Sequence, residues 1–273
     1  MTAEELLAFA THAAANCPRR EPQQSNSVEK GKASPKEECA LPFVIQKYVD
    51  DPLLVQHFYK FDVRWWCVVT SLQPIRAYML TDGYAKIASS VPYDSRDISN
   101  KCAHVTNNAI QKQCMKKTTT NRRRSLEFLL ESSVRSSEFE RTIFPIKTEV
   151  LFQGAKTILE KVLQASAWRL EARRYIEKVT AKTFQMLAID VIYEKPDGKA
   201  MLLEINTNGY LRSGMMKIPQ GRERLKELFR LTGFVGYPLE EVEAIQRTSS
   251  TREEVESKLE HRNRGEWISL FGS

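Results

Sequence analysis

The sequence predicts an α+β chain: an antiparallel sheet with flanking helices. Three observations carry that class. Residues 61–89 hold three short β-like runs joined by turn residues, residues 143–176 carry a long helical stripe, and residues 184–206 read as a second hairpin. Antiparallel strands need only short turns between them, which is what these runs have.

The elements follow in order. Residues 3–16 have helix-forming composition with Glu4 and Glu5 in the first turn, and residues 17–38 are polar and rich in Pro, Ser and Gln, as a linker is. Folded structure is expected from about Leu41. FVIQKYV (43–49) reads as an apolar strand that stops at Asp50-Asp51-Pro52. FDVRWWCVVT (61–70) alternates, with Asp62, Arg64 and Trp66 on one face and Phe61, Val63, Trp65 and Cys67 on the other. IRAYML (75–80) and YAKIAS (84–89) flank Thr81-Asp82-Gly83, a hairpin signal, so the three runs read as a meander.

From Ile143 to Ile176, Val150, Leu151, Ile158, Leu159, Val162, Leu163, Leu170 and Ile176 form one apolar stripe. The stripe runs unbroken through EVLFQGA, a stretch that resembles a protease recognition sequence and is read as native. FQMLAIDVIYE (184–194), Lys195-Pro196-Asp197-Gly198 and KAMLLEIN (199–206) make the second hairpin, and helices are expected at 219–232 and 238–262, the latter with a Glu254–Lys258 pair. The division is thus a helical or disordered extension over 1–40, a main region over 41–237 and a charged helical tail over 238–273.

Composition sets limits on function. With 42% apolar and 27% charged residues the 273-residue chain can bury a real core. No window approaches 18 uncharged apolar residues, so no membrane span is expected, and the N-terminus has no basic n-region of a signal peptide. Five cysteines, odd in number and without CxxC spacing, are expected to be reduced thiols in a cytosolic compartment. The net charge of +7 favours an acidic partner. KKTTTNRRR (116–124) concentrates part of it, as a solvated loop or as a contact for acidic protein tails. No aromatics are interleaved there and no groove-reading module is present, so nucleic acid is not expected.

MLLEINTNG (201–209) poses the chemical question. Met201, Leu202, Leu203 and Ile205 suit a buried strand, yet Glu204 and Asn206, two apart, point to one face. If Pro196–Gly198 form a three-residue loop, Lys195 opposes Lys199 and Asp190 lies opposite Glu204. Facing carboxylates need neutralising. A hard divalent cation such as Mg²⁺ does this, with Asn206 adding a neutral oxygen; ion pairs to nearby Lys or Arg are the alternative. Lys60, Asp62 and Arg64 recur at period two, placing two cations and a carboxylate in one cleft, or else facing solvent. His104, Thr106, Asn107 and Asn108 precede a helical stretch, where Thr106 or Asn107 can serve as N-cap. No P-loop, dinucleotide fingerprint, nucleophile elbow or zinc ligand set is present.

In order along the chain, FVIQKYVDDPLL, YKFDVRWWCVVT, IRAYMLTDGYAKIAS, HVTNNAIQK, FQMLAIDVIYE and LLEINTNG resemble the tubulin–tyrosine ligase-like family, a branch of the ATP-grasp ligases. The resemblance covers residues 43–209. It implies an ATP-grasp-like fold and ATP-dependent addition of glutamate, tyrosine or glycine to acidic tubulin tails through an acyl phosphate. ATP and Mg²⁺ are the implied cofactors, and tubulin tails or microtubules and a free amino acid the implied partners, in the cytoplasm and cytoskeleton. Gln46, Lys47, Tyr48 and Val49 would line the adenine, and Lys60, Asp62, Thr106 and Asn107 would contact the nucleotide. Arg64, Lys86 and His104 would serve the chemistry, and Asp190, Glu204 and Asn206 would hold the metal. Three departures accompany the match. The family's N-terminal nucleotide-binding half has no counterpart before the hinge strand, Lys86 stands where an arginine is usual, and Asn206-Thr207-Asn208-Gly209 replaces the usual Asn-(Thr/Ser)-(Ser/Ala)-Pro. A catalytically inactive tubulin-binding homologue and a ligase with a non-tubulin acceptor are the competing readings.

Overall fold

β2, Tyr59–Leu72, is the strand on which the sheet is assembled. Its continuous apolar run from Trp65 to Val69 lets both faces be covered, and its 14 residues give room for several neighbours. In the computed structural model, residues 46–116, 131–133, 137–143, 145–176, 183–207, 215–218 and 220–271 are described. The expected helix 3–16, the linker 17–38 and nearly all of the basic segment 116–124 lie outside them. The chain divides into two units, Met1–Tyr48 and Val49–Ser273. Of the first, only Gln46, Lys47 and Tyr48 are described, exposed and without regular structure.

In the second unit, β1 (Leu54–Val55) turns back onto the start of β2. β3 (Ile75–Leu80) pairs antiparallel with residues 67–72 of β2, and β4 (Tyr84–Ile87) pairs antiparallel with residues 61–64. The expected hairpin at Thr81-Asp82-Gly83 is therefore corrected: β3 and β4 lie end to end along β2 and are not paired with each other. A Cβ on Gly83 would come within 2.8 Å of both Trp65 and Val63, so glycine is needed for close passage across β2, not for a tight hairpin turn. β5 (Glu131–Ser133) extends the sheet beside β4, and β8 (Trp267–Ser269) beside β3.

β6 (Gln185–Glu194) lies against residues 63–69 of β2, and β7 (Lys199–Asn206) pairs with β6. The hairpin is as expected, but two details differ. The turn has four residues, so Glu194, not Lys195, opposes Lys199. A bulge then adds Leu203 between the Val191–Leu202 and Asp190–Glu204 pairs, which restores the carboxylate register. β7 is also not a buried strand. Among the described residues it pairs with β6 alone, and Leu203 and Glu204 are exposed.

The helices are α1 (Lys101–His104), α2 (Asn108–Lys116), α3 (Ser137–Thr142), α4 (Thr148–Ile176), α5 (Gly221–Leu231), α6 (Leu239–Gln246) and α7 (Arg252–Arg262). Part of the expected apolar stripe of α4 covers one sheet face: Leu151, Leu159 and Leu163, with Phe152 and Ala155, join Phe61, Val63, Trp65, Cys67 and Ile189 in the main core, whereas Val150 and Leu170 are exposed. EVLFQGA is part of that helix. Trp65 donates to the Tyr193 hydroxyl at 2.9 Å, which donates to the Leu151 carbonyl at 3.0 Å, fixing helix to sheet. On the opposite face Trp66, Val68, Tyr78, Tyr84 and Ala188 pack with Leu228, Leu231 and Trp267.

The helix expected over 238–262 is two helices rather than one. Thr251 breaks the run by capping α7, accepting from the Glu254 backbone N–H at 3.1 Å. The chain then returns to the sheet as β8. The strand expected at 43–49 is not formed over its described residues, 46–49; a strand needs a ladder partner, and among the described residues pairing begins at Pro52 and β1. The reduced-thiol expectation also fails for one pair. Cys102 and Cys114 form a disulfide, because α1 and α2 fold against each other and bring their Cα atoms to 5.8 Å. Cys67 is a free thiol in the core. Among the described residues no helix is long and apolar enough to cross a membrane. The expected α+β class, with an antiparallel sheet and flanking helices, is the observed one.

Candidate active site

The even-numbered residues of β2 decide what the second sheet face carries. In the middle of the strand they are Trp66 and Val68, packed with residues of α5 and β8; toward the N-terminal end they are Lys60, Asp62 and Arg64. Sheet pairing sets their neighbours. Asp62 lies beside Lys86 of β4, Arg64 lies between Tyr84 of β4 and Asp190 of β6, and Asp190 lies beside Glu204 of β7. Four strands thus bring five charged side chains to one patch.

The contacts are close. Arg64 grips Asp190 with two parallel bonds, Nε to Oδ1 at 2.8 Å and Nη2 to Oδ2 at 2.7 Å. Lys86 Nζ sits between two carboxylates, 2.7 Å from Asp62 Oδ1 and 2.8 Å from Asp190 Oδ2. The Thr106 hydroxyl donates to the other Asp62 oxygen. Arg64 Nη2 is 3.8 Å from Glu204, which accepts from the Asn206 amide at 2.9 Å. The Asp190 side chain is 2% exposed and that of Glu204 60%, so the patch opens at the β7 edge. Lys60 points over the Tyr93 ring, 5.8 Å from its centroid.

Burial disfavours charge on Asp190, Asp62, Lys86, Arg64 and Lys60, and neighbours decide the outcome. For Asp190, burial is outweighed by the Arg64 hydrogen bonds and the Lys86 charge, which hold its carboxyl below the usual range. For Asp62, burial, reinforced by the negative Asp190, wins over Lys86 and raises it. Burial also opposes protonation of Lys86 and Arg64, but their carboxylates hold both above their usual values. Lys60 is lowered to about 8 by burial, against the pull of Asp62.

Of the residues singled out from sequence, the structure gathers Asp62, Arg64, Lys86, Thr106, Asp190, Glu204 and Asn206. Others go elsewhere. His104 lies against Tyr93, with ring centroids 5.1 Å apart, and its Nε2 is 2.9 Å from the Asp97 carbonyl oxygen. Asn107 accepts from the Ala109 N–H at 2.9 Å and caps α2. Gln46, Lys47 and Tyr48 are exposed, and Val49 is buried.

Sequence reasoning did not find Tyr84, whose hydroxyl accepts from Asn108 at 3.2 Å, nor Gln111. Gln111 is fully buried and ties the α1–α2 pair together, donating to the Cys102 carbonyl at 3.0 Å and the Val105 carbonyl at 2.6 Å and accepting from the Ser90 hydroxyl at 2.9 Å. An uncharged polar residue on a helix gives no signal until its burial is known.

Among the described residues no three His, Cys, Asp or Glu side chains are gathered as a metal-binding group. The oxygen set of two carboxylates and one amide at Asp190, Glu204 and Asn206 nevertheless suits Mg²⁺, which takes one or two carboxylates and shares the rest with water and phosphate. The apolar cleft by the C-terminal half of α4, lined by Leu72, Ile75, Ala167 and Trp168, holds none of these residues.

Residues 24–214 match the model of the tubulin-tyrosine ligase family. The chain is similar to tubulin glycylase 3D of Tetrahymena thermophila, 26% identical over 62% of this chain and 15% of that protein. It is similar to tubulin polyglutamylase ttll-11 of Caenorhabditis elegans, 27% identical over 67% of this chain and 26% of that protein. Tubulin glycylase 3C of Tetrahymena thermophila is 39% identical over a shorter stretch, 26% of this chain and 6% of that protein. The chain thus spans about a quarter or less of the length of these relatives.

Proposed function

The chain belongs to the tubulin-tyrosine ligase family, and on that premise we propose that it carries the catalytic face of an ATP-dependent ligase. The ligase adds an amino acid, glutamate, glycine or tyrosine, to the acidic tail of tubulin. The observation that carries this reading is the patch where Asp62, Arg64, Lys86 and Asp190 meet beside the open Glu204–Asn206 edge.

In this reading Asp190, Glu204 and Asn206 hold Mg²⁺, which when bound offsets negative charge on the phosphates of ATP. Arg64 and Lys86 present cations to the transferring phosphoryl group, and Lys60 to the nucleotide. Asp62 fixes Lys86 and Thr106, keeping both at the edge of the cleft. The acceptor carboxylate becomes an acyl phosphate, and the amine of the free amino acid displaces phosphate from it. Positioning of the three reactants does much of the work. The basic segment 116–124 suits an acidic tail, and the setting is the cytoplasm and its microtubules.

One observation favours the non-catalytic alternative: both oxygens of Asp190 are already held by cations. Calorimetry with ATP and Mg²⁺, followed by incorporation of labelled glutamate, glycine or tyrosine into tubulin, decides between the two. ATP-dependent incorporation supports the ligase. Tubulin binding without nucleotide binding sinks it.

A further inference from the structure

Lys86 is held differently from the other cations of the patch. Arg64 takes Asp190 as a planar fork, a fixed two-bond geometry. Lys86 is a point charge on a flexible stem, reaching from β4 to a position between carboxylates on β2 and β6, 2.7 Å and 2.8 Å from them. That is the position and the charge sign of a bound cation. The wider patch is balanced without any ion, since Asp62, Asp190 and Glu204 meet Lys60, Arg64 and Lys86.

We infer that Lys86 is the resident cation of this site: it neutralises Asp62 and Asp190 in the metal-free protein and competes with a divalent cation for Asp190 Oδ2. Asp190 offers about four lone-pair directions. Arg64 uses one on each oxygen and Lys86 a second on Oδ2; of the two cations on Oδ2, Lys86 holds Asp190 by one bond and Arg64 by two. A divalent ion that entered with Lys86 in place would meet an ammonium within a few ångströms, a repulsion that is large at low effective dielectric. Lys86 must therefore withdraw as metal enters. The natural destination for its charge is the phosphate that arrives with the metal, so Lys86 becomes a positioning residue that couples metal entry to nucleotide binding. This rests on the reading of Asp190, Glu204 and Asn206 as metal ligands.

The test uses the full chain without nucleotide, with Mn²⁺ as the probe, read by electron paramagnetic resonance. Lys86→Met keeps the stem and removes the charge. It is expected to bind Mn²⁺ on the order of tenfold more tightly than the wild type. Its melting temperature should fall in chelator and recover when Mn²⁺ is added, because the metal replaces the missing ammonium. Lys86→Arg keeps the charge and should bind Mn²⁺ as weakly as the wild type. Unchanged Mn²⁺ affinity in Lys86→Met overturns the inference, whatever its stability, and so does an Arg variant that binds as tightly as the Met variant.

If Lys86→Met does not fold, wild-type protein is labelled with an amine-acylating reagent and the peptide carrying Lys86 is quantified. Labelling of Lys86 should accelerate several-fold on adding Mn²⁺; an unchanged rate overturns the inference. Failure of the ligase reading is separable. Tight Mn²⁺ binding by Lys86→Met with no nucleotide binding by the wild type leaves the resident-cation role standing and removes the ligase.

Discussion

At the C-terminal end of β2, Glu260 of α7 is fully buried and accepts from Thr70 at 2.7 Å, Arg76 at 3.1 Å and the Tyr78 hydroxyl at 3.2 Å, while Arg76 reaches on to Glu256. At the N-terminal end of the same face, Asp62 and Asp190 are equally buried, but their network continues to Glu204, which faces solvent. The first cluster fastens a helix to a sheet. The second is assembled from four strands of one sheet, with no helix above Glu204 among the described contacts, and its outer members are half open. Buried charge by itself therefore says little about function. What separates the clusters is whether the network closes on protein or ends at an accessible oxygen.

The largest effect expected from breaking that contrast is at the closed cluster. Glu260→Ala leaves Arg76 and two hydroxyls without their shared acceptor, and should cost about 3–5 kcal/mol of unfolding free energy in urea titration. Metal binding at the other end should be unchanged; a small stability loss would mean that the α7 contact is not a fastening.

Next in size is the clamp beside the open cluster. The disulfide closes a short loop through Thr106, which bonds Asp62. Replacing Cys102 and Cys114 together by Ser should cost about 3 kcal/mol by loop entropy. Wild type in strong reductant should melt with the double variant. If reductant leaves the melting temperature unaltered, the pair contributes nothing.

Glu204→Gln tests the open end itself. It removes a charge facing Asp190 and should leave thermal stability level or higher, while amino-acid incorporation falls on the order of a hundredfold or more. A variant that is active but unstable would make Glu204 a structural ion-pair partner and sink its assignment as a metal ligand.

The most gradual effect is in pH. Lys60 titrates near 8 in the folded chain, lowered by burial, against 10.5 when unfolded. Between those values the unfolded chain holds more protons, so this group makes stability rise with pH, by up to about 1.4 kcal/mol per pH unit. Tyr78, Tyr193 and Cys67, pushed up by burial, act in the opposite sense at high pH. The difference in unfolding free energy between wild type and Lys60→Met isolates the lysine. It should grow in favour of the wild type across that window, and a flat difference would show that Lys60 is not desolvated.

Much of the patch was legible because side-chain alternation is a local property. Asp62 and Arg64 had to share a face opposite Phe61, Val63 and Trp65 wherever β2 lay, and Glu204 and Asn206 had to share one on β7. The expected pairing of Asp190 with Glu204 holds because two departures cancel: the turn is one residue longer than expected, and the bulge at Leu203 takes the residue back. A bulge has no reliable mark in sequence, so local pattern alone does not fix that register.

What the sequence determined by itself was therefore periodicity: which residues share a face, most of the strands and helices, and the Leu151, Leu159 and Leu163 part of the stripe that α4 buries. What only the tertiary structure decided was adjacency. Asp-Gly at 82–83 looks like a hairpin turn, yet β3 and β4 each satisfy their backbone groups on the longer β2, a choice that depends on the whole sheet. From that choice follows the placing of Lys86 beside Asp62, and from the β2–β6 ladder the placing of Asp190 beside Arg64. The side-chain bonds of the patch join residues 104 and 126 positions apart, and local propensity carries no information over that distance. The charges were written in the sequence, and the long-range ladder made them one site.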